Sequence, residues 1–193
     1  MSDLEIFQNQ IYHSKTYFTY LFDEVNYTSC QKVIADIDKA NLDENINEIL
    51  LTICSGGGNL LPAFALFEHI QNSKKDVNIL VDSWCGSAAF MILQAGKNRY
   101  ATKLSRFKIH SSSHTVKNPI YFDEFEDYGA FQKESHLQFI ELTTWRTKIT
   151  YDKFKEMFPL TKYISAIEAK NLGFIDHIIY LNNNSMYQFP ERL

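Results

Sequence analysis

Glu48 to Gly58, EILLTICSGGG, runs from an apolar stretch into three glycines, and Leu60, Leu61, Phe64, Leu66, Phe67 and Ile70 then follow at helical spacing. The apolar run reads as a strand buried on both faces. A buried strand, a glycine turn and a helix need a second parallel strand to return to, and Val77–Val81, VNILV, supplies it in a right-handed crossover. The alternation recurs upstream, where Tyr17–Phe22 is strand-like and Ser29–Ala40 carries Val33, Ile34 and Ile37 on one helical face. Downstream, the spacing predicts a third crossover from Val77 through a helix at Ala88–Gln94 to a strand at Arg106–His110, RFKIH. Repeated units of this kind predict an α/β fold with a mainly parallel sheet.

A chain of 193 residues supports one substantial core, so a single domain over 1–193 is expected. Gly129–Met157 stands apart. It carries Phe131, Leu137, Phe139, Ile140, Leu142, Trp145, Ile149 and Phe154 with no glycine after Gly129, which predicts one long helix and one shorter one. Packing against another subunit and packing back on its own domain both fit that pattern. Ser165–Tyr180 opens with a capping box of Ser165 and Glu168, predicts a short helix stopped at Gly173, and ends in a strand. The tail, Asn182–Leu193, has no periodicity and is expected to be loose.

Several functions are disfavoured at this level. Nineteen basic and 23 acidic residues give a net charge of −4 with no basic block, so a nucleic-acid partner is not expected. Cys30, Cys54 and Cys85 are scattered, which fits neither a disulfide scaffold nor a zinc site and suits reduced thiols in the cytoplasm. The N-terminus has no signal-peptide pattern and no window approaches about 18 uninterrupted apolar residues, so neither secretion nor a membrane span is expected. Ser55–Gly58 is neither a phosphate-binding Walker loop nor a dinucleotide fingerprint, and no cofactor or metal is expected.

Three features carry possible chemistry. The SGGG turn leaves amide hydrogens unobstructed at a helix start and can hold an oxyanion, or it is simply a tight crossover turn. Gly86–Met91, GSAAFM, offers a second tight turn at the same edge of the sheet, where sites in open α/β folds collect. His110 ends the next strand at that edge, as a general base or as a hydrogen-bonded turn residue.

Taken together, SGGG before a helix, GSAAFMILQAGKNRYA, RFKIHSS and YISAIEAKNLGFIDHII resemble the Clp protease proteolytic subunit family, self-compartmentalised serine proteases, over roughly Tyr17 to Tyr180. The resemblance implies a Clp/crotonase-like spiral of repeated strand and helix units with a protruding helical handle at about 129–158. It puts the family's nucleophilic serine on Phe90, its histidine on His110 and its aspartate on Thr161, with oxyanion donors at the amides of Gly58 and Met91. Where the family has a proline before its paired glycines, this chain has Gly56. Phenylalanine cannot accept an acyl group and threonine cannot orient a histidine with a carboxylate's charge, so the resemblance implies a non-catalytic homologue.

Neighbouring candidates follow. Ser87 is expected in the incoming loop, facing away. Ser111, Ser112 and Ser113 follow His110 too closely for easy pairing with its ring, and Cys85 beside Trp84 is expected to be buried and inert. Phe90 is expected to plug the mouth of the former site. The resemblance further implies assembly into a seven-membered ring or a stacked double ring, mixing with an active proteolytic subunit, or partnership with an ATP-driven AAA+ unfoldase. Two alternatives stand beside the non-catalytic reading: an active ATP-dependent serine endopeptidase with a non-standard site, and a crotonase-like acyl-CoA enzyme.

Overall fold

A computed structural model of the chain describes residues 5, 7, 15–110, 121–147, 149–157 and 161–180. Strand β1 (Thr16–Leu21) leads into helix α1 (Tyr27–Leu42), β2 (Glu48–Ser55), α2 (Leu60–Gln71), β3 (Asp76–Gly86), α3 (Ala88–Leu93), β4 (Arg99–Thr102) and β5 (Arg106–His110). After a single 3-10 turn at Phe122–Glu124 come α4 (Phe125–Thr144), α5 (Tyr151–Met157), β6 (Thr161–Ser165), α6 (Ala166–Asn171) and β7 (His177–Ile179). The sheet runs β1-β2-β3-β4-β7, all parallel, with β5 added to the far end of β3 and β6 antiparallel to β5. The α/β architecture and mainly parallel sheet expected from the crossovers are present.

The third crossover ends elsewhere than expected. The strand after α3 is β4, RYAT, which pairs with Ile79–Val81, and β5 comes later. Arg99 disguises this strand, because a charged residue opens a short run that is in fact buried. Its guanidinium donates through Nε to Asp176 Oδ2 at 3.0 Å, through Nη2 to Asp176 Oδ1 at 2.6 Å and through Nη1 to Gln94 Oε1 at 2.7 Å. Burial pushes the Asp176 carboxyl up, but hydrogen bonds and charge from Arg99 outweigh it and hold the group below its ordinary value. The clasp ties β4, the approach to β7 and the end of α3 together.

Strand β3 changes partner along its length, and that change positions the site. Ile53 of β2 faces Val81, yet Ser55, two residues on, faces Cys85, four residues on. The excess length of β3 is absorbed around Ser83, which sits at φ 76°. Before this irregularity β3 pairs with β4, and beyond it Trp84–Gly86 pairs with β5. The last residues of β3 are thereby carried over to the strand that ends in His110.

Every residue of α3 is buried, so the helix is apolar all round and lies inside the core. The long helix α4 starts at Phe125, four residues before the expected Gly129. Its second half folds over its own domain. Phe139 and Ile140 are buried, Trp145 packs edge-on to Phe67 with ring centroids 6.0 Å apart, and Trp145 Nε1 donates to Gln94 O at 3.2 Å. Arg146 anchors the same end by donating to the carbonyls of Gly96 and Lys97. Phe125, Phe131 and Leu137 remain exposed along the first part of the helix. The capping box of Ser165 and Glu168 and the stop at Gly173, with φ 80°, are formed as expected. The tail at Asn182–Leu193 and the residues Ser111–Ser113 lie outside the described residues.

Candidate active site

The glycine turn is built from both sides. Ser55 Oγ donates to Asp23 O at 2.6 Å and accepts from Gly57 N at 3.2 Å. The Val25 amide donates to Gly57 O at 2.9 Å, and the Asn59 amide donates to Val25 O at 2.8 Å. Asn59 then caps α2 by accepting from Leu61 N at 2.9 Å. Gly57, at φ 94°, is pressed against the next turn, since a Cβ built there would stand 2.6 Å from Ser87 Cβ and 2.8 Å from Ala88 N. Only glycine permits this approach of the two turns.

The second turn is a strand-to-helix elbow whose apex is Ser87. Strand β3 ends at Gly86 and α3 begins at Ala88, with Ser87 between them at φ 53° and ψ −126°. A non-glycine residue there is strained, and the environment holds it in place. The Ser87 amide donates to Lys108 O at 2.9 Å, so β5 grips the elbow two residues before His110. The Ser87 side chain makes no capping hydrogen bond to α3.

A cavity of about 950 Å³ opens over these turns. Its walls include Ser55, the three glycines of the turn, Ser87 and His110, with Phe22, Leu60, Tyr128, Phe131 and Phe139 as apolar and aromatic surface. Asp23 and Glu24 add carboxylates, and among the described wall residues there is no lysine or arginine. A strained serine at a strand-to-helix elbow, sharing a cavity wall with a histidine and a glycine turn, is an arrangement suited to acyl transfer.

A family model described as Clp protease matches residues 5–182. The chain belongs to the Clp protease family. The ATP-dependent Clp protease proteolytic subunit of Cyanophora paradoxa is 27% identical to it over 158 residues, covering 80% of this chain and 79% of the relative.

Within this Clp protease fold two sequence expectations are corrected. Phe90 does not plug the mouth of the site. It is fully buried, its ring packed edge-on against Phe107 at 5.6 Å and Phe174 at 4.9 Å between centroids, and it is no part of the cavity wall. As third residue of α3, it points into the core. Ser87, expected to face away, lines the cavity with His110. The signal that marks it is the pair of small residues, Gly86 and Ala88, that bracket the elbow. Phe90→Ala is expected to cost about 3–5 kcal/mol of stability, the usual range for emptying a buried phenyl site. Urea unfolding monitored by circular dichroism measures it, and a loss under about 1 kcal/mol would contradict the ring's place in the core.

The Met91 amide is also spoken for, donating to Ser87 O at 3.3 Å inside the helix. The amide at the first position of α3 is that of Ala88, which has no acceptor within the helix. Gly58 keeps its place in the glycine turn, at φ 153°.

Thr161 and His110 face each other as paired residues of antiparallel β5 and β6. Cys85 is fully buried, and burial pushes its thiol well above the ordinary value, the inert state expected for it. Cys54 is half-buried and lines the cavity. Among the described residues no group of three His, Cys, Asp or Glu is arranged to hold a metal ion, and no helix is long and apolar enough to cross a membrane.

Proposed function

We propose that this Clp-family chain is a serine-type peptidase subunit in which Ser87 is the nucleophile and His110 its general base. Thr161 stands where the family's aspartate is expected. The carrying observation is the strained backbone of Ser87 at the elbow, on the wall of the cavity it shares with His110. In this reading Ser87 Oγ attacks the scissile carbonyl as His110 takes its proton. The amides of Gly58 and Ala88 stabilise the oxyanion, and His110 returns the proton to the leaving amine. Thr161 brings no carboxylate charge to the imidazolium of His110, so turnover is slow.

The non-catalytic reading stands as the alternative, and it is supported by Thr161 opposite His110 and by Phe90 where the resemblance puts the family's serine. Assembly into rings of seven, or stacked pairs of them, is part of the proposal. It is supported by family membership and by exposed apolar side chains such as Phe18 and Phe22 next to β2 and Phe125, Phe131 and Leu137 on α4. Surface of that kind is used when copies cover it.

One experiment reads both parts. The chain and its Ser87→Ala and His110→Ala variants are passed through size-exclusion chromatography with light scattering, and hydrolysis of an unstructured fluorogenic peptide is assayed in the recovered peak. A mass near seven or fourteen subunits, with slow hydrolysis that both substitutions reduce to background, is expected. A single-subunit mass overturns the ring. Hydrolysis equal in the unaltered chain and in Ser87→Ala overturns the reacting pair.

A further inference from the structure

The wall of the cavity that belongs to α4 is a stripe at helical spacing: Tyr128, Gln132, Ser135 and Phe139. Within it Gln132 is out of keeping. Its Oε1 is buried and has no hydrogen-bond partner among the described residues, although the residue lines the cavity. A buried acceptor without a donor is costly, and such groups in folded proteins are normally satisfied. Apolar wall near the two turns comes from Phe22, Leu60 and Leu61 and, on α4, from Phe131 and Phe139, with Asn59 as a polar neighbour. Asp23 and Glu24 also line the cavity, and neither enters an ion pair among the described residues.

We propose that Gln132 is a specificity-determining residue of this cavity: its Oε1 accepts a hydrogen bond from an N–H at the tip of a substrate side chain. The selected class is peptides that place a glutamine or lysine in the cavity. Their methylene stems pack on the aromatic and leucine walls, and their terminal donor reaches the amide oxygen. A leucine fills the same space and leaves Oε1 unpaired. A glutamate adds a third negative charge beside Asp23 and Glu24. A site built to accept a hydrogen bond discriminates against ligands that lack the donor, because the buried partner is then left unmatched. The inference deepens the peptidase reading and rests on it for the identity of the ligand as a peptide.

The test separates binding from turnover. Fluorescein-labelled Ala-Ala-Xaa peptides, with Xaa as Gln, Lys, Leu or Glu, are titrated by fluorescence anisotropy against the full chain carrying Ser87→Ala, alone and combined with Gln132→Leu or Gln132→Met. The Gln or Lys peptide is expected to bind about tenfold more tightly than the Leu peptide, the size of one buried hydrogen bond. Both Gln132 variants are expected to erase that preference. Gln alone preferred assigns a neutral amide donor, and Lys alone a cation assisted by Asp23 and Glu24; both support the proposal. A Leu preference, a Gln or Lys preference that survives both Gln132 variants, or no binding of any peptide overturns it. Fluorophosphonate labelling of Gln132→Leu with Ser87 intact tells the two readings apart. Labelling with no Gln132-dependent preference sinks only this inference, and a Gln132-dependent preference without labelling sinks only the catalytic one.

Discussion

Thr161→Asp is expected to raise peptide hydrolysis by up to about 10⁴-fold, mostly in kcat, the factor by which a triad enzyme falls when its aspartate is lost. The register argues for a gain of this kind. Thr161 is the antiparallel partner of His110, and directly opposed residues hold their Cβ atoms about 5 Å apart. A carboxylate there comes within hydrogen-bond reach of the imidazole. In the proposed mechanism its charge would stabilise the imidazolium formed as Ser87 gives up its proton, and its geometry would fix the ring. Thr161→Asn, of nearly the same shape without the charge, serves as control and is expected to stay within about tenfold of the unaltered chain, because it cannot stabilise the imidazolium. Steady-state kinetics on one fluorogenic peptide decide the matter. Equal rates for Thr161→Asp and Thr161→Asn would show that residue 161 does not stand behind His110.

How far the sequence could reach is visible in particular elements. Strands β2 and β3 and helix α2 were legible because apolar runs and helical spacing are local signals, and the glycine turn between them is written in three adjacent letters. Strand β4 was not, because the charge that opens it is neutralised by Asp176, 77 residues away. Local patterning holds no trace of so distant a partner. Strand β6 was hidden for a related reason. Thr161, Lys162 and Tyr163 are exposed, so it pairs with β5 through its backbone with little apolar alternation to announce it.

Around the cavity, the glycine turn and the helix start at Ala88 were legible, while the facing of Ser87 to the cavity and of Phe90 to the core was not. The cause is α3. Six consecutive buried residues carry no amphipathic period, so nothing in the run Ala88–Leu93 marks which side chains face the core and which the cavity. The resemblance then set Phe90 at the nucleophile's place by matching a short run of small residues. The two positions differ in backbone geometry: Ser87 has φ 53°, and Phe90 is an ordinary helical residue three positions on. The role of α4 was half visible. Its aromatic content showed that it must pack on something, and the structure divides it between its own core at Phe139 and Ile140 and the cavity wall at Tyr128, Gln132 and Ser135.

The nucleophile is the point on which everything else turns. A fluorophosphonate phosphonylates a serine only where a base activates the hydroxyl and an oxyanion site receives the developing charge, so it reports both features without requiring rapid turnover. The measurement is incubation of the purified chain with excess probe, followed by intact mass and peptide mapping. One probe per chain on Ser87 is expected, formed over hours, lost in Ser87→Ala and in His110→Ala, and unaffected by Phe90→Leu, which keeps the core filled. A chain that remains unlabelled under conditions that modify an active serine peptidase to completion, or that carries the probe on any residue other than Ser87, would contradict the assignment.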